Sequence, residues 1–260
     1  MIAALPQWLL MDVPGASLAG VRLPQAFAQV PRFWLFEGTE FHLLREQGPL
    51  LIDLRSSPAL VESYRNEAHL WRGLLVISKA PASQLLAHFR RMLMVMPGLH
   101  HRALLSYYSP YTASYFFDAC DALELSRWLG PIDQLRWFGG TWADHALGSQ
   151  CWQQLSNPGL IVSPLAIEET LSARQLEKLQ TCLLEQHAWR WSESTGTDYN
   201  CLWSHVQEGL ALGFSERPAL DGWLWLRLQH PGALPARTLP GLTQQERLDA
   251  LRYLWQNNQP

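Results

Sequence analysis

Between Gln84 and Met96 the apolar residues return with a helical period: Leu85, Leu86, Phe89, Met92, Leu93 and Met96 share one face, and Gln84, His88, Arg90 and Arg91 take the other. This spacing predicts an amphipathic helix that starts near Pro81, where a missing N–H leaves nothing unsatisfied, and stops at Pro97-Gly98. A polar turn at His100-His101-Arg102 follows, then the short apolar and aromatic run Ala103 to Tyr108, which reads as a buried strand. Ser109-Pro110 opens another helix, with the Ser109 hydroxyl as N-cap acceptor and Pro110 at the first helical position. Asp121 with Glu124 three residues on forms a capping-box signature ahead of Leu125, Trp128 and Leu129. Gly130-Pro131 closes that helix and releases the apolar segment Ile132 to Phe138.

Upstream, Trp8 to Val13, Phe33 to Phe36, Leu50 to Leu54 and Gly73 to Ser78 are short apolar runs bounded by turn residues, and Ser57-Pro58 caps a helix through about Leu70. Strands joined through helices of this length favour crossover connections, so the expectation is an α/β (α+β) lobe with a mixed or parallel sheet flanked by helices. From about Leu165 the period becomes helical throughout. Ser172 with Gln175 and Thr243 with Glu246 mark helix starts, and Tyr199, Leu202, Trp203, Val206 and Leu210 form a stripe, as do Leu220, Trp223, Leu224 and Leu228. The expected organisation is an α/β lobe over residues 1–142, a crossover over 143–164 in extended form, and a C-terminal helical lobe over 165–260, with Pro235 to Pro240 in a loop and a frayed end after Asn257.

The order Leu85-Leu86-Ala87-His88-Phe89-Arg90-Arg91, then Leu104-Leu105-Ser106-Tyr107-Tyr108-Ser109-Pro110, then Trp128-Leu129-Gly130-Pro131-Ile132 resembles the adaptor-chaperone domain of bacterial type VI secretion systems, domain of unknown function 4123. The resemblance extends upstream through Trp34 to Gly38 and Gly48 to Ile52, and covers roughly Trp8 to Trp142. It implies a protein that is not an enzyme, needs no cofactor, binds the N-terminal region of one cognate toxic effector and helps to load it on the valine-glycine-repeat spike protein. Ser106 and Ser109 stand where the family pattern has Arg and Asp, so an ion pair at that place does not carry over.

Composition narrows the alternatives. A formal net charge of -3, with Lys79 and Lys178 the only lysines, leaves no basic footprint for nucleic acid or anionic lipid. Met1 to Leu10 lacks the basic flank of a secretory signal and no run approaches a membrane span, which makes the cytoplasm the expected location. Cys120, Cys151, Cys182 and Cys201 are too widely spaced for a redox or zinc motif and are expected as reduced, mostly buried thiols. Thirteen Trp residues suit both core filling and interface anchoring.

Nucleotide-binding loops and metalloprotease signatures do not occur, and Gly15-Ala16-Ser17-Leu18-Ala19-Gly20 has one residue too many for a nucleophile elbow. Adjacent His100 and His101 point apart on a strand, so they do not form a metal pair. The candidate partner-binding residues are Tyr107, Tyr108, Trp137, Phe138 and Trp142, rigid aromatic side chains near strand ends, receiving an apolar or helical partner segment in a groove. Core packing is the competing reading for each ring. The competing functions are a small-molecule enzyme with a site assembled from distant residues such as His101, Asp144 and His145, and an immunity protein that neutralises its partner.

Overall fold

The computed structural model describes residues 6–12, 30–69, 72–98, 101–233 and 240–257. The expected strand end at Val13, the Ser17 segment, Leu70, His100, the loop after Pro235 and the last three residues lie outside the described residues. The chain divides into two compact units, residues 1–183 and 184–260.

The four apolar runs read upstream contribute strands to one sheet of the first unit. Strands β1 (Trp8–Met11), β2 (Arg32–Trp34), β3 (Leu50–Asp53) and β4 (Gly73–Ile77) join β7 (Gln134–Gly139) and β8 (Cys151–Ser156) in a six-stranded sheet of order β2-β3-β1-β4-β7-β8. Every pairing in it is antiparallel, which corrects the expectation of a parallel or mixed sheet. The reason lies in β1. Helix α1 (Pro58–Asn66) does carry the chain from β3 to β4, but β1 lies between those two strands, with Leu9 opposite both Ile52 and Leu75. A crossover therefore exists without producing a parallel neighbour.

Alternation along β1 divides the interior in two. Trp8 and Leu10 face the larger core, covered by α2 (Ala82–Leu93), α3 (Pro110–Phe116) and α4 (Ala122–Leu129). Leu9 and Met11 face the smaller core, where Leu60, Val61 and Tyr64 of α1 pack. Tyr64 can be buried there because its hydroxyl donates to the Gly73 carbonyl at 2.7 Å.

Helix α2 buries Leu85, Leu86, Phe89, Met92 and Leu93, as its period predicts, yet ends at Leu93 rather than running to Met96. Met94 turns extended because Met94–Gly98 is strand β5, pairing with β6 (His101–Leu104) and, in parallel, with β9 (Glu169–Thr170). Pairing with β6 just downstream and with the distant β9 has overridden the local helical period. The strand expected over Ala103 to Tyr108 is likewise displaced: it spans His101–Leu104, and Tyr107 and Tyr108 occupy a turn closed by the Ser109 N–H donating to the Ser106 carbonyl at 2.9 Å. The segment expected to cross over in extended form contains α5 (Trp142–Leu147) and β8. Of the four free cysteines, Cys120 and Cys182 are buried, but Cys151 and Cys201 are exposed.

Helix α6 (Ala173–Thr195) begins at the expected capping box, where the Ser172 N–H donates to Gln175 Oε1 at 2.9 Å. In the second unit, α7 (Tyr199–Ala211), α8 (Arg217–Gln229) and α9 (Gln244–Asn257) bury Leu202, Val206, Trp223, Leu224, Leu248 and Leu251. Gly209 lets α8 approach α7, since a Cβ there would run into the Trp223 ring. The ring is fixed by its Nε1–H donating to the His205 carbonyl at 2.7 Å.

Leu10 is fully buried in the strand that both neighbours depend on. Leu10→Ala should lower unfolding stability by about 2–5 kcal/mol, measured by urea denaturation; a loss below about 0.5 kcal/mol would contradict the central placement of β1.

Candidate functional site

The antiparallel pairing of β1 and β4 brings the residue after one to the residue before the other. Asp12 donates its N–H to the Arg72 carbonyl at 2.8 Å, and its carboxylate is attracted by the Arg72 guanidinium. Burial raises the Asp12 pKa; Arg72 and a hydrogen bond from the Ser109 hydroxyl oppose that rise. Ser109 thus occupies the N-cap position of α3 in extended conformation without its side chain capping the helix, a correction to the sequence expectation. Its hydroxyl is directed to Asp12 instead. Tyr108 beside it hydrogen-bonds Ser106, and its phenol is pushed upward chiefly by burial, with a smaller contribution from the Asp12 charge.

Aromatic rings continue the cluster. The Arg72 guanidinium carbon lies 5.7 Å from the centroid of the Tyr111 ring, which stacks on Trp142 at 4.1 Å and 12°. His145 meets Tyr111 and Trp142 edge-on at 5.4 and 5.8 Å, and its Nδ1 lies 3.2 Å from Gln150 Oε1. Trp142 is held through its N–H, which donates to the Tyr115 hydroxyl at 2.8 Å. Helix α5 takes this position because Thr141 and Asp144 form a capping box, with the Thr141 N–H donating to Asp144 Oδ2 at 2.8 Å and the Asp144 N–H to Thr141 Oγ1 at 3.1 Å. Asp144 also accepts from Ser149 at 2.9 Å, so its carboxylate serves the helix start. The enzyme reading joined Asp144 and His145 to His101, which is exposed on β6 of the small sheet. Among the described residues no cluster of three His, Cys, Asp or Glu is placed to hold a metal ion. A carboxylate under the influence of a guanidinium, two phenols and a stacked indole make a polar and aromatic seat whose rings are buried.

The segments in this seat and around it are those whose order resembles the adaptor family. Residues 8–127 match DUF4123, a domain of unknown function. DUF4123 is known as the effector-loading adaptor and chaperone family of type VI secretion. No curated protein and no solved structure matches the chain. The DUF4123 region runs from β1 to Arg127 in α4, so it contains Asp12, Arg72, Tyr108 and Tyr111 and stops short of Trp142.

Of the five aromatic residues expected from sequence, Tyr107 and Tyr108 lie inside the DUF4123 match and Trp137, Phe138 and Trp142 beyond it. Tyr107 is buried, stacked on Phe89 at 6.0 Å with its hydroxyl donating to the Phe89 carbonyl at 2.8 Å. Trp137 is buried in the same core and donates to Ser114 Oγ at 3.0 Å. Phe138 points to the opposite face of the sheet, half-buried and edge-on to the exposed Trp152 at 6.0 Å. Tyr108 and Trp142 border the Asp12 seat, both largely buried. Asp12, Arg72, Tyr111 and Gln150 were not singled out in the sequence. The available signal was a charge directly abutting an apolar run, at Met11-Asp12 and at Arg72-Gly73, but only the strand pairing joins the two.

The raised Asp12 pKa has a consequence for stability. Above the ordinary carboxylate value of 3.8 the folded carboxyl retains its proton longer than the unfolded one, so this group's contribution falls as pH rises through the window up to its raised value. Asp12→Asn removes that penalty. The variant's melting temperature relative to wild type should therefore be higher at about pH 7 than at about pH 4; a constant or reversed difference would contradict the burial-driven shift.

Proposed function

We propose that this protein is a non-catalytic adaptor that binds the N-terminal region of one cognate type VI secretion effector and promotes its loading on the valine-glycine-repeat spike protein. The observation that carries this reading is the DUF4123 match over residues 8–127, which includes the sheet centre and most of the Asp12 seat. The net charge of -3 favours a protein partner over nucleic acid or anionic membrane. No helix among the described residues is long and apolar enough to cross a membrane, and we place the loading step in the cytoplasm. Tyr107, Tyr108, Trp137 and Trp142 enter this reading as the buried frame of the docking lobe; Phe138, beside Trp152, is the one of the five with most ring surface left for a partner.

Coexpression with the effector encoded beside this gene tests the assignment. A tagged chain should copurify with that effector through the effector's N-terminal region, and deletion of the adaptor should abolish secretion of that effector while other effectors are still exported. Copurification only with the effector's toxic domain, together with protection of cells from it, would establish an immunity protein instead.

A further inference from the structure

A second surface of the first unit is shaped for a partner of definite chemistry. Helices α2 and α4 and the extended residues 157–165 after β8 enclose a groove of about 610 Å3. The extended segment is held at both ends. Asn157 donates from Nδ2 to the carbonyls of Gly130 and Ile132 at 3.0 and 2.9 Å, the Leu160 N–H donates to Ser126 Oγ at 3.2 Å, and Leu165 is buried in the larger core. Between these anchors Ile161 is fully exposed and Leu160 is 45% exposed. Among the described residues the backbone groups of Ile161, Val162 and Ser163 form no hydrogen bond, leaving a row of donors and acceptors open beside an aliphatic surface.

The charge lining this groove has one sign. Arg91 and Arg127 contribute to the wall and no carboxylate does, although the chain as a whole holds 23 acidic against 20 basic residues. Arg127 pairs with Glu169 through Nη2 at 2.8 Å, but its Nε is buried and has no hydrogen-bond partner among the described residues. Arg91 is exposed and forms no ion pair among the described residues. His88 on the same wall adds no compensating charge: its Nε2–H donates to the Trp128 carbonyl at 2.8 Å, and burial first, then Arg91, lowers its pKa. The Arg127 side chain remains 37% exposed beside its pair with Glu169, and a carboxylate is the group a guanidinium binds best.

We infer that this groove binds an extended, acidic segment of the effector. The inference rests on the adaptor reading and names the partner chemistry. An aliphatic side chain of the segment packs on Leu160 and Ile161, its backbone pairs along Ile161 to Ser163, and a carboxylate of Asp or Glu sits between Arg91 and Arg127. The open backbone groups along Ile161 to Ser163 favour an extended occupant over the helical one expected from sequence, because a helix has no free backbone row to pair with them.

Two exposed substitutions test it in the complex formed by coexpression with the neighbouring effector. Arg91→Glu and Ile161→Ser should leave the melting temperature unchanged, since neither side chain supports the core. Each should weaken effector binding about tenfold, while Arg252→Glu in the second unit leaves it unchanged. Raising salt from about 0.05 to 0.5 M should weaken the wild-type complex and leave the Arg91→Glu complex nearly unaffected. If wild type captures the effector and both groove variants bind within about twofold of it, the groove assignment is overturned and the adaptor reading stands. If Ile161→Ser weakens binding but Arg91→Glu does not, the acidic character of the partner is overturned. Failure of wild type to capture the effector overturns the adaptor reading, and the groove assignment with it.

Discussion

The antiparallel insertion of β1 between β3 and β4 is the constraint on which the first unit depends. Four consecutive side chains, Trp8 to Met11, are buried, two on each face, so a strand of four residues contributes to both cores at once. At about 1.5–3 kcal/mol for each fully buried apolar side chain, this short strand is a large contributor to both cores. Its pairing also brings together charges that are far apart in the chain. Asp12 meets Arg72 because one strand ends where its antiparallel neighbour begins, and Arg55 can lie 4.5 Å over the Trp8 ring because Trp8 pairs with Asp53 at the end of β3. Asp53 fixes that arginine with hydrogen bonds of 2.9 and 2.6 Å.

Local signals were legible in the sequence and long-range pairings were not. The Asp121 and Glu124 box forms as expected, with the Asp121 N–H donating to Glu124 Oε2 at 3.0 Å and the Glu124 N–H to Asp121 Oδ1 at 2.8 Å, because both partners lie within one helical turn. Thr243 and Glu246 behave in the same way at the start of α9. The Thr141-Trp142-Ala143-Asp144 signal was equally local and equally readable, but the mixed character of the residues after it obscured α5. Ser109 shows the limit of such reasoning: its local chemistry suits an N-cap, and the part-buried carboxylate that follows β1 takes the hydroxyl instead. Met94 to Gly98 left the helical period for the same reason, since strands at His101 and Glu169 offered it partners.

Ser106 and Ser109 carry no charge where the resemblance leads to the expectation of Arg and Asp, yet the structure places charge beside them. Asp12 hydrogen-bonds Ser109 and carries its field to Tyr108, which bonds Ser106. The charges come from the ends of β1 and β4, where no motif would place them. The groove beside α2 and α4 has a different character. Its surface is aliphatic and cationic, with open backbone groups, whereas the Asp12 seat is aromatic and internally bonded. On the adaptor reading, the Asp12 seat holds the lobe in shape and the groove meets the partner.

Amide hydrogen exchange compared between the free chain and the purified effector complex tests this division most directly. Strong new protection is expected at Ile161 to Ser163, with the amides of β1 and β4 unchanged because they are already slow. New protection confined to other parts of the chain, with exchange at Ile161 to Ser163 as fast in the complex as in the free protein, would contradict it.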